Sequence, residues 1–194
     1  IYKDKGYADV KVDDFSTTDD ACGFATITLS ITEGNKVLIG NVEIIGIKSF
    51  KPKKIKKLLA TKRKEVYKDE TFKDDIKKVE LFYKNHGYLA VNIVSPEITF
   101  SDTRNKMFIK IKIDEGQQYR NGKAGFTGNT IFTEQQLLKV FNFKEGEIFD
   151  QSRYDENELN IKALYGDSGY INARISCELD KNDVTGIVDS SFTI

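Results

Sequence analysis

A chain of 194 residues in which 30 Lys and Arg balance 30 Asp and Glu has no net field to draw in nucleic acid or a charged membrane. No stretch approaches the ~18 apolar residues that a membrane helix needs, and the first residues do not read as a signal peptide. Cys22 and Cys177 occupy non-equivalent places with no His near either, so they form no metal cluster or redox Cys-x-x-Cys pair and read as structural or incidental thiols.

The chain repeats itself. Gly-Tyr pairs begin at Gly6, Gly87 and Gly169, each preceded by a Tyr and a few polar or small residues, at offsets of 81 and 82. Glu33-Gly34 returns as Glu115-Gly116, Gly46 as Gly128, Phe50 as Phe132, Glu65 as Glu147, Tyr67 as Phe149 and Phe72 as Tyr154, all at 82. A fixed period of that length marks a tandem array of small domains. The expected units are 1–33 (the end of a truncated repeat), 34–115 (complete) and 116–194 (nearly complete). A unit of ~80 residues can fold alone, on a small core.

In chain order, the first unit supplies two strands, the second with Ile27, Leu29 and Ile31 alternating. The middle unit opens with a strand over 37–45, in which Val42 and Ile44 alternate with Asn41 and Glu43, and Gly46 ends it. Ile55, Leu58 and Leu59 recur at helical spacing, and a second helix carries Phe72, Ile76, Val79 and Phe82 or Tyr83. Gly87 stands where a C-terminal helix cap belongs. A strand over 88–98 follows, with Pro96 near its end, where a sheet edge tolerates a missing donor. After a polar turn at 101–106, Ile109, Ile111 and Ile113 alternate with Lys110 and Lys112 in a closing strand. The third unit repeats this order. Ala124 and Phe126 lie in its first strand, and Thr133 to Gln136 form a capping box before Leu137, Leu138 and Phe141. Tyr154, Ile161, Leu164 and Tyr165 line its second helix, and its closing strand ends at Ile194. The fold class is α+β: each unit is β-α-α-β-β, with two helices covering one face of a three-stranded mixed sheet.

Constellations that carry catalysis are missing from the sequence. His86 is the one histidine and sits in a helix-end turn, whereas a metal site needs several convergent ligands. The glycines at Gly122, Gly125 and Gly128 lack the phosphate-loop pattern. Acid pairs such as Asp13-Asp14, Asp19-Asp20 and Asp74-Asp75 read as caps and solvated charges. No enzyme, cofactor or metal site is expected. The basic run at 51–64 could meet anionic lipid or RNA but reads first as a solvated helix face. No aromatics interleave for base stacking, and the matching run in the third unit has only Lys139 and Lys144.

Val42-Glu43-Ile44-Ile45-Gly46 after Glu33-Gly34, then Phe82-Tyr83 to Gly87-Tyr88, then Ile109 to Gly116, resemble the POTRA (polypeptide-transport-associated) domain. The resemblance spans the whole chain and looks most like the bacterial surface antigen family of outer membrane assembly factors, the BamA type. Glu115-Gly116-Gln117-Gln118-Tyr119 is similar to its repeat junctions. Phe126-Thr127-Gly128, with Gly122 and Gly125, departs from the middle unit. The resemblance implies a periplasmic location at the bacterial outer membrane, a C-terminal β-barrel outside this piece, and unfolded outer membrane proteins and accessory proteins as partners, with no nucleic acid or small-molecule substrate. The sequence is therefore expected to belong to a longer chain.

In that family the strand after Gly-Tyr is a sheet edge, and an exposed edge offers unpaired N–H and C=O groups to an extended client. The expected client-binding positions are Ala90, Val91, Asn92, Ile93 and Val94, and Asn172, Ala173, Arg174, Ile175 and Ser176. Limited, directional bending is expected at Gly34 and Gly116. Three alternatives stand beside this reading. One is a two-partner secretion or organellar import transporter with the same domains. Another is an architectural spacer without client binding. The last is an RNA-binding KH-type module, which the missing Gly-x-x-Gly clamp disfavours.

Overall fold

The computed structural model describes residues 2, 5–7, 9–19, 25–142 and 144–194. Cys22 and Asp20 lie outside them. A hairpin of β1 (Lys11–Asp19) and β2 (Ala25–Thr32) precedes two copies of one arrangement. The first copy runs β3 (Leu38–Ile45), α1 (Pro52–Lys56), α2 (Asp69–Lys84), β4 (Asn92–Phe100) and β5 (Lys106–Asp114). The second runs β6 (Arg120–Thr127), α3 (Glu134–Leu138), α4 (Gln151–Asp167), β7 (Ser176–Asn182) and β8 (Ile187–Thr193). The expected β-α-α-β-β order is present twice.

Strand order is β3-β5-β4 in one sheet and β6-β8-β7 in the other. The closing strand therefore lies between the other two. It runs parallel to the first strand in both sheets, with Ile44 opposite Ile111 and Phe126 opposite Phe192. Because β7 is antiparallel to β8, that sheet is mixed. Alternation explains the central place of β5. Met107, Ile109, Ile111 and Ile113 are buried, while Lys106, Phe108 and Lys112 face out. Val188, Ser190 and Phe192 do the same in β8.

By internal contact the chain divides into two compact units, Ile1–Lys77 with Ile93–Ile113 and Lys78–Asn92 with Asp114–Ile194. In the second unit Leu137 of α3, Tyr154, Ile161 and Tyr165 of α4, and Val188 and Phe192 of β8 form one buried cluster with Tyr119 and Phe149. The helices thus cover one face of their sheet. The capping box at α3 forms as expected. Gln136 N–H donates to Thr133 Oγ1 at 3.4 Å, and Thr133 N–H donates back to Gln136 Oε1 at 2.9 Å.

Both first helices are a single turn and a half, and what ends them was not expected from the sequence. Asp75 of α2 is fully buried and accepts from the N–H groups of Ala60 (2.8 Å) and Thr61 (2.7 Å), just beyond α1. Asn157, 82 residues on, is also fully buried and accepts from Asn142 N–H at 3.1 Å beyond α3. This corrects the reading of Asp75 as a solvated charge, while its neighbour Asp74 is exposed as expected. Asp75 satisfies backbone donors that the chain leaves orphaned in the interior. Of the candidate pair Phe82 and Tyr83, the fully buried one is Tyr83.

Candidate functional site

The Gly-Tyr repeat is a helix stop. Tyr88 N–H donates to Tyr83 O at 3.0 Å and Gly87 N–H to Lys84 O at 3.2 Å, with Gly87 at φ +88°. This is the Schellman arrangement, in which only a residue tolerant of positive φ serves. The third copy matches it: Tyr170 N–H to Tyr165 O at 2.9 Å and Gly169 N–H to Gly166 O at 2.9 Å. The two tyrosines bracket each stop with edge-to-face rings, 5.7 Å apart for Tyr83–Tyr88 and 6.1 Å apart for Tyr165–Tyr170 and for Tyr2–Tyr7. The stop also fastens the next segment. Val37 N–H donates to Gly6 O and Tyr119 N–H to Gly87 O, both at 2.8 Å. His86 belongs to this turn: its Nδ1 lies 2.7 Å from Phe82 O and its ring 4.2 Å from the Phe82 ring.

Beyond the stop the chain does not enter the sheet at once. Val91 N–H returns to Tyr88 O at 3.3 Å, and Ala173 N–H to Tyr170 O at 3.1 Å. The extra turn delays the strand, so β4 starts at Asn92 and β7 at Ser176 rather than directly after Tyr88 and Tyr170. Ala90 and Val91 therefore lie in the turn, with Asn92, Ile93 and Val94 opening β4. Asn172, Ala173, Arg174 and Ile175 precede β7, and Ser176 is its first residue. The apolar character of Leu89, Ala90 and Val91 hides this turn from a reading of periodicity.

β4 and β7 are edge strands. The other edges, β3 and β6, are partly closed by the chain itself. Ile39 N–H donates to Glu65 O (2.8 Å) and Lys64 N–H to Ile39 O (2.7 Å). In the same way Asn121 N–H donates to Glu147 O (2.8 Å) and Gly146 N–H to Asn121 O (2.7 Å). No side-chain signature announces these backbone bonds. Among the described residues, no such segment pairs with the outer side of β4 or β7.

The two open edges differ in chemistry. β4 exposes Val94, Ile98 and Phe100, and carries half-buried Pro96, which cannot donate, and exposed Glu97, which pairs with Lys110 on β5 at 3.3 Å. β7 reads SCELDKN and carries three charged residues, Glu178, Asp180 and Lys181. Cys177 is only partly exposed, and burial, with Glu158 and Glu178 nearby, pushes its thiol up to about 12, which disfavours the thiolate at neutral pH.

Gly34 and Gly116 both have positive φ, +72° and +68°. A Cβ on Gly34 would lie 3.2 Å from Asp9 Cβ, and one on Gly116 would lie 3.3 Å from Ala90 O. Arg104 grips Asp9 through two bonds of 3.1 Å. Among the described residues no group of His, Cys, Asp or Glu could hold a metal ion, and no helix is long and apolar enough to cross a membrane.

The family model of POTRA, the surface antigen variable number repeat, matches residues 37–116 and again 119–194. The chain is 27% identical over 183 residues to the outer membrane protein assembly factor BamA of Nitratidesulfovibrio vulgaris, covering 88% of this chain and 23% of that one. It is 24% identical to a putative outer membrane protein assembly factor of Treponema pallidum, over 100% of this chain and 24% of the other. It thus spans about a quarter of the length of these curated relatives. Among solved structures, POTRA domains 3–5 of Haemophilus influenzae BamA share its fold, with a TM-score of 0.67 at 16% identity over 100% of this chain and 75% of that one. The chain belongs to the POTRA family, as a tandem of surface antigen variable number repeats.

Proposed function

We propose that this chain is the periplasmic POTRA region of an outer membrane β-barrel assembly factor and that it receives unfolded outer membrane proteins by strand addition. The observation that carries the proposal is the asymmetry of the sheets: loops of the same chain bond to β3 and β6, while among the described residues no backbone segment pairs with the outer sides of β4 and β7. An extended client added there gains main-chain hydrogen bonds whatever its sequence, which suits a receptor for many clients. β4 is the stronger site, since Val94, Ile98 and Phe100 give a client apolar contacts that β7, with its charges, does not. Binding therefore centres on Asn92 to Phe100, overlapping the sequence-derived positions Asn92, Ile93 and Val94, with Ser176 onward as a weaker second edge. Gly34 and Gly116 are the proposed bending points, Gly34 the stiffer of the two because Arg104 clamps its neighbour Asp9.

The test is an NMR titration of the labelled chain with unfolded peptides from outer membrane β-barrel proteins. Shifts concentrated on β4 are expected. Shifts confined to the helices, or none at millimolar peptide, would sink the reading.

A further inference from the structure

The zero net charge conceals a segregated chain. Residues 34–115 hold 19 Lys and Arg against 11 Asp and Glu, whereas 116–194 hold 8 against 12 and 1–33 hold 3 against 7. The whole excess comes from 51–64, which contains eight basic residues and no acid. Every one of the eight is exposed. Ile55 and Leu59 turn inward, at 0% and 3% exposure, so α1 and the loop after it present mainly charge to solvent, with Pro52 and Ala60 between the basic residues.

The fold gathers these charges. Lys53, Lys56 and Lys57 of α1 and its C-terminal end join Lys62 of the following loop around one shallow open depression of about 570 Å³. A second depression of about 650 Å³ is lined by Lys36, Lys64 and Lys68, with Glu65 as its one acid and Leu38 and Val66 as apolar wall. Thr61 also lines it. Its residue is 6% exposed, and its Oγ1 is buried with no hydrogen-bond partner. A buried hydroxyl left unsatisfied calls for an acceptor or donor from outside, and one beside three lysines suits an anionic oxygen.

We propose that this face of the second repeat docks on an anionic phospholipid surface, with the depression beside Thr61 seating one headgroup phosphate. The other polyanions fit less well. A protein interface needs a buried aromatic or aliphatic anchor at its centre, and no large hydrophobic side chain of 51–64 is among the exposed ones. Single-stranded nucleic acid needs stacking faces. This stretch has no aromatic, and its neighbours are engaged, Phe50 under Lys54 Nζ at 5.3 Å and Tyr67 against Phe72 at 5.7 Å. A fluid anionic surface asks only for charge, about a fivefold gain for each nearby lysine, and clusters of this size suffice to hold it. The contact is independent of strand addition at β4.

The test is flotation of the 194-residue chain with vesicles of phosphatidylcholine, with and without phosphatidylglycerol. Binding is expected only with phosphatidylglycerol, weakening as salt shortens the screening length. The variant K53Q/K56Q/K57Q/K62Q changes only exposed side chains, so its circular dichroism should match the parent. It should bind more than about a hundredfold more weakly, given about fivefold per lysine. Short-chain phosphatidylglycerol below its micelle concentration should shift the amides of Thr61, Lys64 and Lys68, about tenfold more weakly in Thr61→Val, as expected for one bond to a charged group. Four results would overturn the proposal. These are no binding to anionic vesicles, undiminished binding by the folded quadruple variant, preference for polyglutamate over vesicles, and the same amide shifts with inorganic phosphate in the absence of vesicle binding.

Discussion

Replacing Asp75 with Ala should uncouple the two helices of the second repeat. Its carboxylate accepts two backbone bonds, 2.8 Å from Ala60 N and 2.7 Å from Thr61 N, at a site where Asp75 is 0% and Thr61 6% exposed. Asp75→Ala removes both acceptors and leaves the N–H of buried Thr61 without them, while Ala60 lies at an exposed position. Each orphaned buried donor costs about 1–3 kcal/mol. Ala60 is better placed to find water, so a loss of about 3 kcal/mol is expected in all. A domain of this size holds on the order of 5 kcal/mol. With an urea dependence of about 1 kcal/mol per molar, the midpoint of this repeat should fall by about 3 M. The assay is a urea titration followed by NMR amides of β3 and β5, with those of β6 and β8 as reference. Asp75→Asn keeps one acceptor, as Asn157 does in the third repeat at 3.1 Å from Asn142 N, and should lose only about 1 kcal/mol. A midpoint shift for Asp75→Ala below ~0.5 M, well under one orphaned donor, would refute the reasoning. So would equal losses in the two variants.

Gly46→Ala should cost about 2–4 kcal/mol, because at φ +87° the new Cβ would lie 2.0 Å from Ile113 O. Gly146→Ala, at φ +83° with nothing within 4 Å, should cost only about 1 kcal/mol. Equal melting temperatures for the two variants would remove the close approach as the cause. Burial chiefly, and for Tyr83 also its bond to Glu115 Oε1 at 2.9 Å, raises the Tyr83 and Tyr154 hydroxyls well above the ordinary tyrosine range. Their contribution is intact below the unfolded value of about 10 and is lost as pH rises from there toward the raised folded values. The melting temperature should therefore fall more steeply above pH ~10 than below it, and less steeply in Tyr83→Phe; identical slopes in the two proteins would contradict this. In a Cys22→Ser background, Cys177 should react with a maleimide at least about tenfold more slowly in the native protein than in urea, as its raised thiol requires. Equal rates would contradict the burial seen here.

The period of 82 and the Gly-Tyr pairs were enough to read the architecture, because the period marks the repeat and each Gly-Tyr pair marks a helix stop at positive φ, which glycine adopts at least cost. Gly87 shows this best: its place after an apolar helical stripe reads as a cap, and its N–H bond to Lys84 O makes it one. Residues of the candidate site were legible only to within a few positions. Leu89, Ala90 and Val91 look like strand residues, and the bond from Val91 N–H to Tyr88 O that makes them a turn involves no side chain. The same holds for the loops at 64–65 and 146–147 that cover β3 and β6. They decide which edge stays open, yet they act through backbone groups that every sequence carries. Asp75 was hidden for the opposite reason. A carboxylate beside Asp74 reads as solvated, and only the packed helix pair shows that its oxygens meet Ala60 and Thr61.

Strand addition at β4 is the central claim, and one pair of peptides tests it. A client-derived peptide and the same peptide N-methylated at alternate residues keep the same side chains but differ in their capacity to pair along a strand. The account predicts shifts on Asn92 to Phe100 with the first, and loss of binding when the methyl groups occupy the edge that pairs with β4. Equal binding of both peptides in either methylation register would show that side chains, not the open edge, hold the client.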